Sequence, residues 1–314
     1  MAEHIYIHIG PLKTGTTSLQ ESLEYNKKTL LDTNILFPGK GLCFKAVDDY
    51  LKRGNTWDGD PVNEDCLGKY GEMVEMINSW DKKAVISCEH MSDMTGDEID
   101  QFCRDLKGKK TVIFCYRRAS RLLISWWQET TRNGMSFTYN EFLNNFRKNK
   151  RFKTRIGWTV GRCIDYPGIV KKWKAGEGVE KIQVMYFPPN TENGNDNYIF
   201  KQFDNIIGTG NILSSHIVKR HVRWDKKKLL LCLYFNRTEE AKRLSHTEYH
   251  KRLNEYLKTN TSPTEKPYLG RYSLLMVSFI NKVMLYIRNK QEKLFISRFS
   301  KKSIKPTPFS NNET

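Results

Sequence analysis

The residues best suited to chemistry crowd into one short stretch. Lys13, Thr14, Gly15, Thr16, Thr17 and Ser18 follow directly on Gly10-Pro11-Leu12, which gathers an ammonium, four hydroxyls and two glycines. Before them Ile5, Ile7 and Ile9 alternate as a strand does, and after them Leu19 and Leu23 recur at helical spacing. A strand that stops at glycine and restarts as a helix leaves several backbone N–H groups unpaired at one spot, where the helix dipole also favours negative charge. Gly15 lets the backbone approach an anion closely, Lys13 adds a full charge, and Thr14, Thr16, Thr17 and Ser18 add hydroxyl donors. The pattern predicts a phosphate-binding loop. Its plain alternative is a strand–turn–helix carrying a surface lysine.

The loop of nucleotide triphosphatases places its lysine directly after the second glycine. Here Lys13 precedes Gly15, and Thr16 stands where that lysine would be. A second cluster begins at Tyr116-Arg117-Arg118. Arg117 leaves an apolar strand predicted over Lys110–Tyr116, and Ser125 lies about two turns into the helix that follows. A guanidinium fork and a hydroxyl so placed can face one phosphate. An amphipathic helix with a basic start, built on Leu122, Leu123 and Trp126, accounts for the same residues without a ligand.

The elements that must position these groups read as alternating strands and helices. Strands are predicted over Ile5–Ile9, Asn34–Pro38, Lys83–Cys88, Lys110–Tyr116 and Lys181–Phe187. Helices are predicted over Thr17–Lys28, Tyr70–Trp80, Gly96–Leu106, from Arg117 through Trp127, over Phe137–Phe146 and over Cys163–Trp173. Gly41–Trp57 carries no clear pattern. Beyond Asn195 the chain turns helical, over Tyr198–Ile207, Asp225–Asn236 and Thr238–Leu257. This order predicts an α/β fold with a mainly parallel sheet and a helical C-terminal part, in which ligands sit beyond the carboxyl ends of the strands. Gly10, Glu89 and Arg117 each fall at such an end.

The order Gly10-x-x-Lys13-Thr14-Gly15-Thr16-Thr17 resembles the 5′-phosphosulfate loop of sulfotransferases that use 3′-phosphoadenosine 5′-phosphosulfate (PAPS), and Arg117 followed by Ser125 resembles their 3′-phosphate site. From Ile5 to about Phe187 the chain resembles a sulfotransferase of the carbohydrate type. That resemblance implies a P-loop-type sheet and PAPS as donor, with its desulfated form PAP as product and no metal. It implies Lys13, Thr14, Gly15, Thr16 and Thr17 on the 5′-phosphosulfate, with Ser18 beside them, and Arg117 and Ser125 on the 3′-phosphate. Two features depart from the family: Ser18-Leu19 stands where small-molecule members carry Trp, and the late basic-glycine segment has only Gly270-Arg271 as a counterpart. The adenine contact is therefore left open.

Sulfuryl transfer, like phosphoryl transfer, depends on position and charge, with Lys13 and the loop N–H groups placed to stabilise the leaving phosphate. The acceptor hydroxyl needs a base. Glu89 ends its strand on the crevice side, and some carbohydrate and protein-tyrosine members of the family use Glu there. His90 is the alternative, having the better unperturbed pKa. Successive extended residues point opposite ways, so one of the two is expected to face the site. His8 sits within its strand and reads as a packed histidine. A rim of Trp126, Trp127 and Arg132 would suit a carbohydrate or polysaccharide acceptor, neutral or anionic, although the Trp pair reads equally as core.

With 39% hydrophobic and 12% aromatic residues the chain can bury a core, which excludes a disordered class. The net charge of +17 favours anionic partners without choosing among them. The seven cysteines form no C-x-x-C pair, which suggests a reducing compartment and argues against a zinc site. The first strand begins so near Met1 that a signal peptide has no room, and the chain reads as cytoplasmic. Asn236, Asn260 and Asn312 each open an N-x-S/T triplet that this reading leaves unused. Residues 1–270 read as one α/β domain, 271–305 as a basic amphipathic helical segment and 306–314 as a disordered tail. Between Phe279 and Lys305 eight Lys/Arg face one Glu, which suits peripheral contact with an acidic membrane or polymer as well as a solvated face. Two other functions compete: a P-loop kinase-like phosphotransferase, and a non-enzymatic polyanion-binding protein resting on charge alone; nucleic acid is not the expected partner.

Overall fold

In the computed structural model, which describes residues 2–51, 64–147, 165–187, 197–217 and 226–260, strands and helices alternate as the sequence pattern requires. In chain order the elements are β1 (His4–His8), α1 (Thr16–Tyr25), α2 (Lys27–Asp32), β2 (Ile35–Leu36), α3 (Lys40–Tyr50), α4 (Lys69–Ser79), β3 (Lys83–Ser87), α5 (Gly96–Asp105), β4 (Lys109–Tyr116) and α6 (Ala119–Arg132). There follow α7 (Tyr139–Arg147), α8 (Tyr166–Ala175), β5 (Val179–Tyr186), α9 (Tyr198–Ile207), α10 (Ile212–Ser215), α11 (Lys226–Asn236), α12 (Glu239–Arg243) and α13 (His246–Thr259). All described residues fall in one unit, Met1–Glu265. The expectations for Gly270-Arg271, 271–305 and 306–314 lie outside the described residues.

The strands form a parallel sheet in the order β2-β3-β1-β4-β5. Ile5, Ile7 and Ile9 are fully buried on one face of the sheet, each worth about 1.5–3 kcal/mol relative to exposure. A slip of one residue would turn all three away, so their burial fixes where the strand ends and Gly10 begins. His8 lies on the opposite face, edge-on to Phe203 of α9 and hydrogen-bonded through Nδ1 to Ser87 Oγ at 2.8 Å. Burial pushes its pKa down to about 3, so it is a neutral core residue, as its position within the strand predicts. From Ala84 to Ser87 in β3, and from Lys110 to Tyr116 in β4, every residue is buried without alternation. Both faces of the sheet's centre are therefore covered, as parallel sheets require.

Three elements differ from expectation. The helix expected over Thr17–Lys28 is broken at Asn26 into α1 and α2, where the Asn26 Nδ2 donates to the Ser22 carbonyl at 2.8 Å. Residues 40–50 form α3 rather than an unpatterned stretch, its buried side being Cys43, Ala46 and Val47. The helix expected over Thr238–Leu257 is broken into α12 and α13, because Ser245 caps α13 in a reciprocal box with Glu248. The C-terminal helices close a small core of Cys232, Phe235, Ala241, Tyr249 and Leu253. Asn236 ties that core to the end of α6: its Nδ2 donates to the Thr131 and Met135 carbonyls at 2.7 and 2.8 Å, and its Oδ1 accepts from Tyr249 at 2.6 Å. The Asn236 side chain is thus buried and its amide occupied, while Arg237 and Thr238 are exposed. Among the described residues no helix is long and apolar enough to cross a membrane.

Candidate functional site

From β1 the chain continues to β2 on one side of the sheet, and from β4 it continues to β5 on the other. The carboxyl ends of these neighbouring strands flank a switch point, where open α/β sheets bind ligands. The turn that leaves β1 is pinned there. Ile9 N donates to the Ile113 carbonyl at 3.1 Å, and Cys115 N to the Gly10 carbonyl at 2.8 Å. Gly10 has φ +84°, and a Cβ on it would stand 3.0 Å from Glu89 Cβ. Only glycine lets the end of β3 come this close.

Within the turn Thr14 is buried, and its hydroxyl donates to the Pro11 carbonyl at 2.5 Å. The Cys115 thiol donates to the Thr14 carbonyl at 3.3 Å. Gly15, at φ +84° and ψ 11°, begins α1 without a side-chain cap, and no acidic residue occupies the first turn. The N–H groups of Thr16, Thr17 and Ser18, in the first turn of α1, therefore lack intrahelical partners. Thr16 is buried, while Thr17 and Ser18 are half-buried. Phe187 and Ile199 roof Gly15: a Cβ there would lie 3.0 Å from Phe187 Cε2 and 3.3 Å from Ile199 Cδ1. Gly15→Ala is expected to cost about 1–3 kcal/mol through its left-handed backbone and to lower Tm by several degrees in a thermal melt. An unchanged Tm would show that the turn adapts.

Arg117 leaves the end of β4 and reaches this turn. Its guanidinium donates to the Lys13 carbonyl and lies 4.7 Å from the centroid of the Phe187 ring. Tyr166 OH donates to the Arg117 carbonyl at 2.7 Å, fixing the strand end from α8. Lys13 itself has a left-handed backbone, φ +66°. Its ammonium meets Glu129 Oε2 at 3.0 Å, and Arg132 Nη1 lies 3.6 Å from the same oxygen. Burial pulls the Lys13 ammonium below the ordinary lysine pKa, with Glu129 opposing that shift. Ser125 is half-buried and lies one turn before Glu129 on α6.

Glu89 and His90 part company beyond β3. Glu89 is buried, accepts from Gln20 Nε2 at 2.6 Å and is close enough to bias the Lys13 ammonium. His90 turns to α3, where its Nδ1 pairs with Asp48 Oδ1 at 2.8 Å and its ring stands edge-on to Phe44. Lys13, Gly15, Thr17, Ser18, Glu89 and Arg117 thus border one end of the sheet, and Ser125 lies one helical turn from the residue that holds Lys13.

Two expected roles do not fit. The Thr14 hydroxyl is turned into the loop, so Thr14 shapes the turn instead of donating outward. Trp126 is core, 1% exposed, and offers no ring to an acceptor. Trp127 is half-buried, with its indole N–H donating to the Phe137 carbonyl at 2.9 Å. Three contributors were not anticipated: Gln20, which orients Glu89; Phe187, which backs Arg117; and Glu129, which holds Lys13. Only Glu129 had a sequence signal, its i+4 spacing from Ser125. Among the described residues no cluster of three His, Cys, Asp or Glu is placed to hold a metal ion.

Two cations, a helix start with unpaired N–H groups and a buried carboxylate can bind an anionic group and accept a proton beside it. A scan of protein-family models, a search of curated proteins and a search of solved structures each find no match to the chain.

Proposed function

We propose that the chain is a PAPS-dependent sulfotransferase acting on a hydroxyl of a carbohydrate acceptor. The observation that carries the reading is the contact between the two predicted anion sites: the Arg117 guanidinium donates to the backbone of Lys13. Groups from the ends of β1 and β4 can therefore grip one molecule that is anionic at both ends. The donor set fits such a molecule, because the start of α1 is uncapped and Lys13 adds a full charge.

PAPS, when bound, supplies the sulfuryl group. Lys13 and the N–H groups of Thr16, Thr17 and Ser18 hold the 5′-phosphosulfate as a phosphate-binding loop, and they stabilise negative charge as it grows on the leaving phosphate oxygen. Arg117 and Ser125 hold the 3′-phosphate. Glu89, oriented by Gln20, takes the proton of the acceptor hydroxyl as that oxygen bonds to sulfur and the sulfur–phosphate oxygen bond breaks. His90 is committed to Asp48 and has no part in the transfer. His90→Ala is expected to keep turnover within about threefold, whereas loss of a general base costs about 10²–10⁴-fold. A loss of that larger size would move the base to His90.

The function is tested by incubating the protein with PAPS carrying radiolabelled sulfate and a panel of polysaccharides, oligosaccharides and phenols. Label is expected on a sugar, without magnesium. Label on a phenol would replace the acceptor class. Transfer from γ-labelled ATP with magnesium, and none from PAPS, would replace the enzyme class with a phosphotransferase.

A further inference from the structure

Glu129 occupies a place that helix stability does not explain. It lies in the last turn of α6, where the helix dipole disfavours a carboxylate. It nevertheless holds the Lys13 ammonium at 3.0 Å, and both side chains are only about one-fifth exposed, at 21% and 23%. Arg132, one turn on, approaches the same oxygen at 3.6 Å. A pair so far withdrawn from water is more than a screened surface contact.

We propose that Glu129 is a positioning residue whose carboxylate competes with the incoming phosphate for the Lys13 ammonium, and so sets how tightly the loop binds anions. The inference rests on the reading that the Gly10–Ser18 loop holds a phosphate. Glu129 gathers Lys13 and Arg132 on one side of the turn, compensating cations that would otherwise repel each other beside the start of α1. An arriving phosphate supplies the same compensation. Lys13 then exchanges one anionic partner for another, and the net gain in binding is smaller than a lysine–phosphate contact alone would provide. Arg132 remains next to Glu129 on the helix and takes up its charge.

The test uses two variants of the full chain. Glu129→Gln removes the charge. Glu129→Asp keeps it but shortens the side chain by one methylene, withdrawing it from contact with Lys13. Calorimetric titration with inorganic pyrophosphate and with PAP is expected to show both variants binding more tightly than wild type, by about three- to tenfold. Tighter binding by Glu129→Gln with wild-type affinity in Glu129→Asp would assign the effect to the general field of the carboxylate and overturn the competition. Unchanged or weaker binding in both variants would overturn it as well. If pyrophosphate shows the expected order and PAP binds no variant, the competition stands and the PAPS reading falls. If neither probe binds any of the three proteins, the inference fails with its premise.

Discussion

Glu89→Gln is expected to reduce kcat by about 10²–10⁴-fold while leaving PAP affinity unchanged. The substitution is nearly isosteric, and its amide oxygen can still accept from Gln20, which now donates to Glu89 Oε2 at 2.6 Å. Packing at Gly10, where the backbone of the turn meets Glu89, is preserved for the same reason. What is lost is the capacity to take a proton. Measuring single-turnover transfer beside equilibrium binding separates the two effects. Wild-type turnover in Glu89→Gln would remove Glu89 from the role of base. A parallel loss of PAP binding would show that its charge serves the loop instead.

Lys13→Ala is expected to lower kcat/KM by about 10³-fold or more, since a charge-assisted contact to the donor and the stabilisation of its leaving phosphate disappear together. The substitution also turns Glu129 from a partner of Lys13 into a like charge beside the incoming phosphate. It should therefore weaken PAP binding as well as slow transfer, unlike Glu89→Gln. The polyanion-binding alternative makes the opposite prediction: affinity for a polyanion with a steep salt dependence that survives Lys13→Ala. Titration of the variant with PAP and with a polyanion, each at two salt concentrations, decides between them.

Much of the fold was legible because its signals are local. Three buried isoleucines mark β1, and unbroken apolar runs mark β3 and β4. In a parallel sheet the carboxyl ends share one edge, so the convergence of Gly10, Glu89 and Arg117 follows once those strands are assigned. The helix α3 was hidden because its buried face is made of Cys43, Ala46 and Val47, small residues with a weak periodic signal. The break before α13 was visible in Ser245 and Glu248, but the surrounding helix formers masked it.

The site was less legible where a role depends on tertiary reach. Nothing in the spacing of Thr14 shows its hydroxyl folding back onto Pro11; that follows from the path of the turn. The spacing of Leu122, Leu123 and Trp126 places them on one helical face, yet periodicity cannot say whether that face meets solvent, a ligand or the core. Burial decides it for Trp126. Gln20 and Glu129 act across gaps in the chain, on Glu89 and Lys13, and only packing reveals such pairs.

The central claim is that the Lys13 turn and the end of β4 hold opposite ends of one adenosine donor. Its most direct measurement is calorimetric titration of the wild-type chain, Arg117→Lys and Ser125→Ala with PAP and with AMP, which lacks the 3′-phosphate. Wild type is expected to bind PAP at one site, about 10- to 100-fold more tightly than AMP, and both variants are expected to lose most of that preference. Equal affinity of the wild-type chain for the two nucleotides would contradict the claim, as would a preference left intact in both variants.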